Sequence, residues 1–238
     1  MSPFSIQYAS DLHLDQLSSY HIQTLIDPKA DVLILGGDIC HIETIYKHLP
    51  FFQYASSNFQ YVIYIPGNHE FYSDSSYTMF ELVKIVKNFV KSFTNVFYLD
   101  NSSVMIEDVL FTGSCLWCNP QNEPPSWFLI DLTRDEIVDL YNDSVNYLNR
   151  VSLLNHPKHV IITHYPPIHL DYKKRKSRNY DRRYDEYYQN KTIYLPNPPF
   201  YWLFGHTHEN VCKRLNGTNY LSNQRKDKMY NKAAVFFL

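Results

Sequence analysis

Long apolar runs, excess charge, cysteine and glycine are all scarce in this 238-residue chain. No apolar stretch approaches the ~20 residues that a membrane-crossing helix requires. The N-terminus, Met1-Ser2-Pro3-Phe4, lacks a basic region followed by an apolar stretch, so no secretory signal is visible and a cytoplasmic location is expected. The formal net charge is only −2. That removes any whole-chain electrostatic case for binding nucleic acid and leaves only local basic surface. Four scattered cysteines (Cys40, Cys115, Cys118, Cys212) make no disulfide framework and read as reduced thiols of an intracellular protein. Cys115-Leu116-Trp117-Cys118 is the one CxxC. It has no second pair and is followed by Asn119-Pro120 rather than a helix start, so its spacing reads as incidental. Gly113-Ser114-Cys115 does not match the G-x-S-x-G of a serine nucleophile. No internal repeat, low-complexity tract or domain linker appears. The six glycines and 21 tyrosines are unusual numbers without a functional account at this level.

What is present is a chain that is 45% hydrophobic, enough for one sizeable core and a single domain spanning residues 1–238. Phe4, Ile6 and Tyr8 alternate, as in a strand ending at Asp11. Val32–Leu35 and Tyr61–Ile65 are continuous apolar runs, which predict strands buried on both faces. Helices are predicted over Ser18–Ile26, Glu43–Ala55 and Ser75–Ser92. The resulting β-α-β-α-β pattern implies parallel strands with right-handed crossovers. Val104–Ile106 and Val109–Thr112 read as a hairpin around Glu107-Asp108. Thr133-Arg134-Asp135-Glu136 is a capping box opening a helix with Ile137, Leu140, Tyr141, Leu148 and Val151 on its apolar face. Strands are expected at His159–Thr163 and Phe200–Phe204. An Asn216-Gly217 turn then joins Val211–Leu215 to Thr218–Ser222, and Ala233–Leu238 is the last strand. Two β-rich halves with helices outside predict an α/β fold, a four-layer α/β/β/α sandwich.

Five clusters stand just after these strand-like runs: Asp11-Leu12-His13, Gly36-Gly37-Asp38, Gly67-Asn68-His69-Glu70, His164, and Gly205-His206-Thr207-His208. In parallel α/β sheets, ligands bind beyond the carboxyl ends of the strands. Carboxylate, amide oxygen and imidazole together suit borderline divalent ions, Mn²⁺ first, with Fe, Zn²⁺ or Mg²⁺ as alternatives. Two such ions about 3.5–4 Å apart make a phosphoryl-transfer centre, because they clamp both the entering and the leaving oxygen. Any one cluster alone reads more readily as a polar turn; the five in order, all at strand ends, point to a site.

The order and spelling of these clusters resemble the calcineurin-like metallophosphoesterase superfamily. The resemblance implies the four-layer sandwich and two metal ions per chain. It gives one ion Asp11, His13, Asp38 and His208, and the other Asp38, Asn68, His164 and His206. It also implies attack on phosphorus by a metal-bridging hydroxide, with His69 holding the transferring phosphoryl group or protonating the leaving oxygen. Histidine suits that work because its pKa lies near neutrality. Many relatives carry aspartate three residues after the bridging aspartate, where it orients the Gly-Asn-His histidine. Here His41 stands there, either contacting a phosphate or leaving group or lying as a plain surface histidine.

Within the superfamily, Gly67-Asn68-His69-Glu70 is spelled as in the protein serine/threonine phosphatases, but the Asp-Arg-Gly expected after Asp38 is missing. Ala30–Asp38, Tyr61–Tyr72, Gly113–Trp117, Val160–Pro167 and Trp202–His208 resemble small cyclic-nucleotide-phosphodiesterase-like enzymes. Ser222-Asn223-Gln224-Arg225 resembles their Asn-Pro-Arg-Gly-Tyr with Gln224 in place of proline, which predicts a less rigid loop. Between the last two metal clusters, Ile168–Pro199 carries Lys173, Lys174, Arg175, Lys176, Arg178, Arg182 and Arg183 among Tyr172, Tyr180, Tyr184, Tyr187 and Tyr188. It reads either as a solvated loop or as a contact for a phosphate-rich, nucleotidic substrate. The function expected is hydrolysis of phosphate esters, diesters foremost. The alternatives are a small metal-dependent nuclease and a non-catalytic phosphoesterase-like scaffold, the latter disfavoured because every ligand type is kept.

Overall fold

A computed structural model describes residues 4–73, 77–125, 128–170 and 182–238, with 182–184 followed by backbone only. Strand β1 (Ser5–Ala9) is followed by a one-turn helix α1 (Ile22–Leu25) and then by β2 (Val32–Gly36). Helix α2 (Leu49–Asn58) leads to β3 (Tyr61–Ile65), and α3 (Met79–Val90) leads to β4 (Val96–Tyr98). The second half runs β5 (Ser102–Ile106), β6 (Val109–Ser114), α4 (Arg134–Ser152), β7 (His159–Thr163), β8 (Tyr201–Leu203), β9 (Cys212–Leu215), β10 (Thr218–Leu221) and β11 (Val235–Phe237).

The strands form two sheets, ordered β11-β1-β2-β3-β4 and β5-β6-β7-β8-β10-β9. Within the first, β1 through β4 are parallel and β11 closes the edge antiparallel to β1. In the second, β6, β7, β8 and β10 are parallel, with β5 and β9 as antiparallel edges. The side-chain period of two divides the core. Ile6, Val32, Ile34, Ile63 and Ile65 meet Phe111, Val160, Ile162 and Leu203 between the sheets. Their neighbours Leu33, Leu35, Val62 and Tyr64 face the other way, into a cluster with Phe51, Phe52, Val86 and Phe89 of the covering helices. Helices α2 and α3 therefore lie on the first sheet, while α4 packs against β6 of the second. The layers run α/β/β/α, as the element pattern predicts.

Three local expectations shift. Instead of a helix over Ser18–Ile26 there is only the single turn α1. The stretch Glu43–Ala55 divides into a 3-10 turn, Ile42–His48, and α2. Pro50 causes the break: it has no N–H to continue a helix but is well placed in a first turn. Helix α3 starts at Met79, where Thr78 and Glu81 form a capping box that the sequence reading passed over. The box at Thr133 and Glu136 opens α4 as expected. Among the described residues, no helix is long and apolar enough to cross a membrane. All four cysteines are free, and Cys115 and Cys118 are buried.

Candidate metal centre

Beyond the carboxyl ends of β1, β2, β3, β7 and β8 the chain turns sharply. Five of the residues singled out there, Asp11, His13, Asp38, His206 and His208, have φ of 56°, 45°, 53°, 70° and 54°. Left-handed backbone at a non-glycine residue costs ~1–3 kcal/mol and persists only where the surroundings impose it. Here the turns are laced together. The Asp11 amide donates to Gly37 O at 3.0 Å, His13 N to Asp38 O at 2.9 Å, and Gly205 N to His164 O at 2.9 Å. Glycine is required where the loops press on the site. A Cβ at Gly67 would collide with the Asp38 carboxylate and lie 2.7 Å from the His164 ring. Gly37 has φ of 84°, and its Cβ would strike the same ring.

These turns bring the predicted side chains together. Asp11, His13 and His208 offer atoms within 4.8 Å of one another, as do Asp38, His164 and His206. The two groups meet where His13 Nε2 lies 3.7 Å from Asp38 Oδ2. His13 Nε2 is 3.3 Å from His208 Nε2, and His164 Nε2 is 3.2 Å from Asp38 Oδ1. Asp11, His13, Asp38, Asn68 and His164 are all buried.

The donor set fits divalent ions on grounds internal to the structure. Asn68 Nδ2 donates to the Tyr72 hydroxyl at 3.0 Å, yet its Oδ1 is buried with no partner among the described residues. Such an orphaned acceptor is costly unless a ligand completes it. His164 Nδ1 lies 3.0 Å from Gly36 O, and His206 Nε2 lies 2.9 Å from Tyr187 O. An N–H given to a carbonyl leaves the other ring nitrogen, at the cluster, with its lone pair free for a metal. Asp11 accepts from the Ser10 hydroxyl at 2.5 Å and from the His206 amide at 3.0 Å. Burial pushes Asp11 up to about 7 and presses His13 down to about 2 and His208 to about 4. Burial opposes charge on Asp38 and His164 too, but their mutual attraction prevails. It holds Asp38 well below the carboxylate range and His164 up at about 9. The neutral imidazoles of His13 and His208 beside buried carboxylates are what a divalent cation needs, and His164 would give up its proton to one.

His69 lies at the rim of this cluster. Its amide donates to Asp38 Oδ1 at 2.9 Å, and its Nε2 is 3.9 Å from Asp38 Oδ2. It is close enough to His13 and Asp38 to count with them as a third group of ligand atoms, nearer than the sequence reading placed it. Burial pushes its pKa below the ordinary value, although Asp38 pulls the other way. The Tyr72 ring packs against it at 4.3 Å. A cavity of about 350 Å³ opens over Asp38, Asn68 and His69, walled by His41, Tyr72, Leu129 and Tyr188. The residues that carry the basic stretch, 171–181 including Lys173, Lys174, Arg175, Lys176 and Arg178, lie outside the described residues. The backbone of Arg182–Tyr187 forms a 3-10 turn whose Tyr187 carbonyl meets His206.

Four supporting side chains escaped the sequence reading. Glu70 is fully buried and accepts from the amides of Asp38 and Gly67, both at 2.7 Å, of Ile39 at 2.8 Å, and from the Tyr64 hydroxyl at 3.0 Å. It ties the β2 and β3 loops together. An acid three residues after Gly67 can reach back to its amide, which is the one sequence signal for this. Gln224, also buried, accepts from the His208 amide at 2.6 Å and donates to Thr207 Oγ1 at 3.0 Å and Glu209 O at 2.7 Å. The loop expected to loosen without proline is therefore braced by the replacing amide. Arg225 Nε donates to Leu12 O at 2.6 Å, holding the β1 loop from outside. The fourth, Asp15, sits beneath His41.

Residues 6–210 match the family model of the calcineurin-like phosphoesterases. The chain belongs to that family. It is 27% identical over 254 residues to an uncharacterized protein, L509, of Acanthamoeba polyphaga mimivirus, covering 92% of this chain and 90% of that one. Phosphopantetheinyl hydrolase (PptH) of Mycobacterium tuberculosis shares the fold, with a TM-score of 0.71 at 13% identity over 99% of this chain and 96% of that one. A putative 5'-nucleotidase of Staphylococcus aureus aligns with a TM-score of 0.47 at 13% identity, over 95% of this chain and 49% of that one.

Proposed function

We propose that this phosphoesterase-family chain hydrolyses phosphate esters, diesters foremost, with two divalent ions held at the ends of β1, β2, β3, β7 and β8. The observation that carries the reading is the meeting of two buried ligand groups, Asp11-His13-His208 and Asp38-His164-His206, at the His13–Asp38 contact of 3.7 Å. Asp11, His13 and His208 would hold one ion, His164, His206 and Asn68 the other, with Asp38 shared. When bound, such ions neutralise phosphoryl oxygens and supply a water of lowered pKa as nucleophile. Mn²⁺ is the first choice and Fe, Zn²⁺ or Mg²⁺ the alternatives, on donor type.

The chain's own groups do the rest. His164 and His206 are fixed in one tautomer by the Gly36 and Tyr187 carbonyls. His69 faces the cavity beside Asp38 and donates a hydrogen bond to a phosphoryl or leaving oxygen. Tyr72, Leu129 and Tyr188 wall the cavity and keep the ester group out of bulk water. Diesters are favoured by the likeness of Ser222–Arg225 and the other stretches to the phosphodiesterase-like enzymes.

The test is protein reconstituted with each metal and offered nitrophenyl mono- and diesters, cyclic nucleotides and single-stranded DNA. Metal-dependent turnover of the small esters is expected. Turnover confined to polynucleotide would make the chain a nuclease, and bound metal with no turnover at all would make it a scaffold. His69→Ala is expected to lower turnover by about 10²–10⁴-fold at unchanged metal content, as for loss of an acid or charge-stabilising donor.

A further inference from the structure

The cavity presents a second imidazole besides His69. The His41 ring stands 6.1 Å from that of His69, nearly parallel at 26°, and 6.1 Å from that of Tyr72. Its side chain is 30% exposed. Among the described residues, no hydrogen bond or ion pair ties its ring to either group of metal-type ligands. Asp15 holds it, from the neighbouring β1 loop. Asp15 Oδ1 accepts from the His41 amide at 2.7 Å, and its Oδ2 lies 3.6 Å from His41 Nε2. The same carboxylate is 3.8 Å from His48 Nε2, and His48 Nδ1 is 3.1 Å from the Tyr20 hydroxyl.

The two oxygens of Asp15 have different work. Oδ1 satisfies an amide at the start of the 3-10 turn Ile42–His48, which is a structural task. Oδ2 is buried and makes no hydrogen bond among the described residues; it faces the imidazole. A buried carboxylate oxygen left unpaired costs ~1–3 kcal/mol, so a few tenths of an ångström of closure toward His41 Nε2–H is favoured. Cys40 Sγ lies within 4.8 Å of Asp15 and His48, and burial holds its thiol well above its usual pKa, so this neighbour of the carboxylate is a neutral thiol.

We propose that Asp15 is a positioning residue: it takes the backbone N–H and the Nε2–H of His41, so that the ring in its protonated form turns Nδ1–H to a bound phosphate, which is met by His41 as well as His69. The anion sits behind the ring, on the β1 loop, and acts through it. The proposal rests on the phosphoesterase reading above.

Asp15→Asn separates the two tasks, because an asparagine Oδ1 still caps the His41 amide while the charge facing Nε2 is lost. The metal-loaded wild type, Asp15→Asn, His41→Ala and the double variant are compared on two esters of one phosphoryl group, one with a nitrophenyl and one with an alkyl leaving group. His41→Ala is expected to cost about 10²-fold on the alkyl ester and under about 10-fold on the nitrophenyl ester, whose leaving oxygen needs little help. Asp15→Asn should show the same preference at about 10-fold, and the double variant should be no worse than His41→Ala. Metal content, measured by mass spectrometry, should stay at the wild-type level. If His41→Ala loses metal, His41→Gln replaces it. Equal losses on both esters, or Asp15→Asn and His41→Ala effects that multiply, would overturn the proposal. Affinity for inorganic phosphate gives a readout independent of turnover: Asp15→Asn and His41→Ala should each weaken it several-fold, and unchanged affinity in both would sink the idea. A wild type that binds phosphate but turns over no ester refutes the hydrolase reading alone.

Discussion

Glu70→Gln tests how the metal loops are held. The carboxylate takes four donors, two per oxygen: Asp38 N and Gly67 N on one, Ile39 N and the Tyr64 hydroxyl on the other. Glutamine has one acceptor oxygen. Its least costly orientation keeps the Asp38 and Gly67 amides and turns its NH₂ toward Ile39 and Tyr64. The Tyr64 hydroxyl can rotate and accept instead. The Ile39 amide cannot, and it belongs to a residue with no solvent exposure. An orphaned buried amide costs ~1–3 kcal/mol, and the two kept bonds each lose about 1 kcal/mol of charge assistance. The sum is a destabilisation of ~3–5 kcal/mol, in line with breaking one member of a buried charged network. Urea unfolding should be run without metal, since a ligand that binds only the folded state masks such a loss. A pH of 8 keeps Glu70 ionised, because burial raises its carboxyl to about 7 against the pull of the Gly67 and Ile39 amides. Metal affinity should fall by about 10–100-fold, the usual cost of losing a group that orients ligands from behind. A Glu70→Gln protein within 1 kcal/mol of wild type, with unchanged metal affinity, would refute the argument.

Much of the framework was legible because its signals are local. Val32–Leu35 and Tyr61–Ile65 read as buried strands since only a doubly covered sheet tolerates unbroken apolar runs, and β2 is buried along its whole length. The convergence of Asp11, Asp38, Asn68, His164 and His206 followed from their standing at strand ends of a parallel sheet. The braces were not legible. Glu70, Gln224 and Asp15 are residue types that usually face water, and their partners lie on other loops, 32 residues apart for Glu70 and Asp38 and 26 for Asp15 and His41. Nothing in their own neighbourhoods tells a brace from a solvated side chain. His41 shows the same limit: the sequence shows a lone histidine at that position, while the carboxylate that faces it stands before α1. The shortened first helix and the break at Pro50 are boundary effects, decided by a few backbone donors that periodicity does not see.

Gly67→Ala should lower metal affinity by about 10-fold or more, read by titration, because the added Cβ displaces the Asp38 carboxylate and the His164 ring; unchanged affinity would mean that the loop has room. Gln224→Ala should cost ~1–3 kcal/mol in urea unfolding, as it leaves the part-buried His208 amide and Glu209 carbonyl without their partners. A loss under about 0.5 kcal/mol, the size of an ordinary surface change, would show that water replaces the amide. Acid stability should depend on His159, which is 3% exposed on β7, bonded to the Thr112 hydroxyl at 2.9 Å, and held by burial at about 4 against an ordinary 6.5. Its lowered pKa means that the unfolded chain binds the extra proton, so stability is full above pH ~6.5 and is lost as pH falls toward ~4, by at most ~3 kcal/mol. Comparing metal-free wild type with His159→Gln at pH 7 and pH 4.5 cancels the titration of the metal-site histidines. The wild type should lose ~2–3 kcal/mol more than the variant over that interval, and equal losses would mean that His159 protonates in the folded protein without cost.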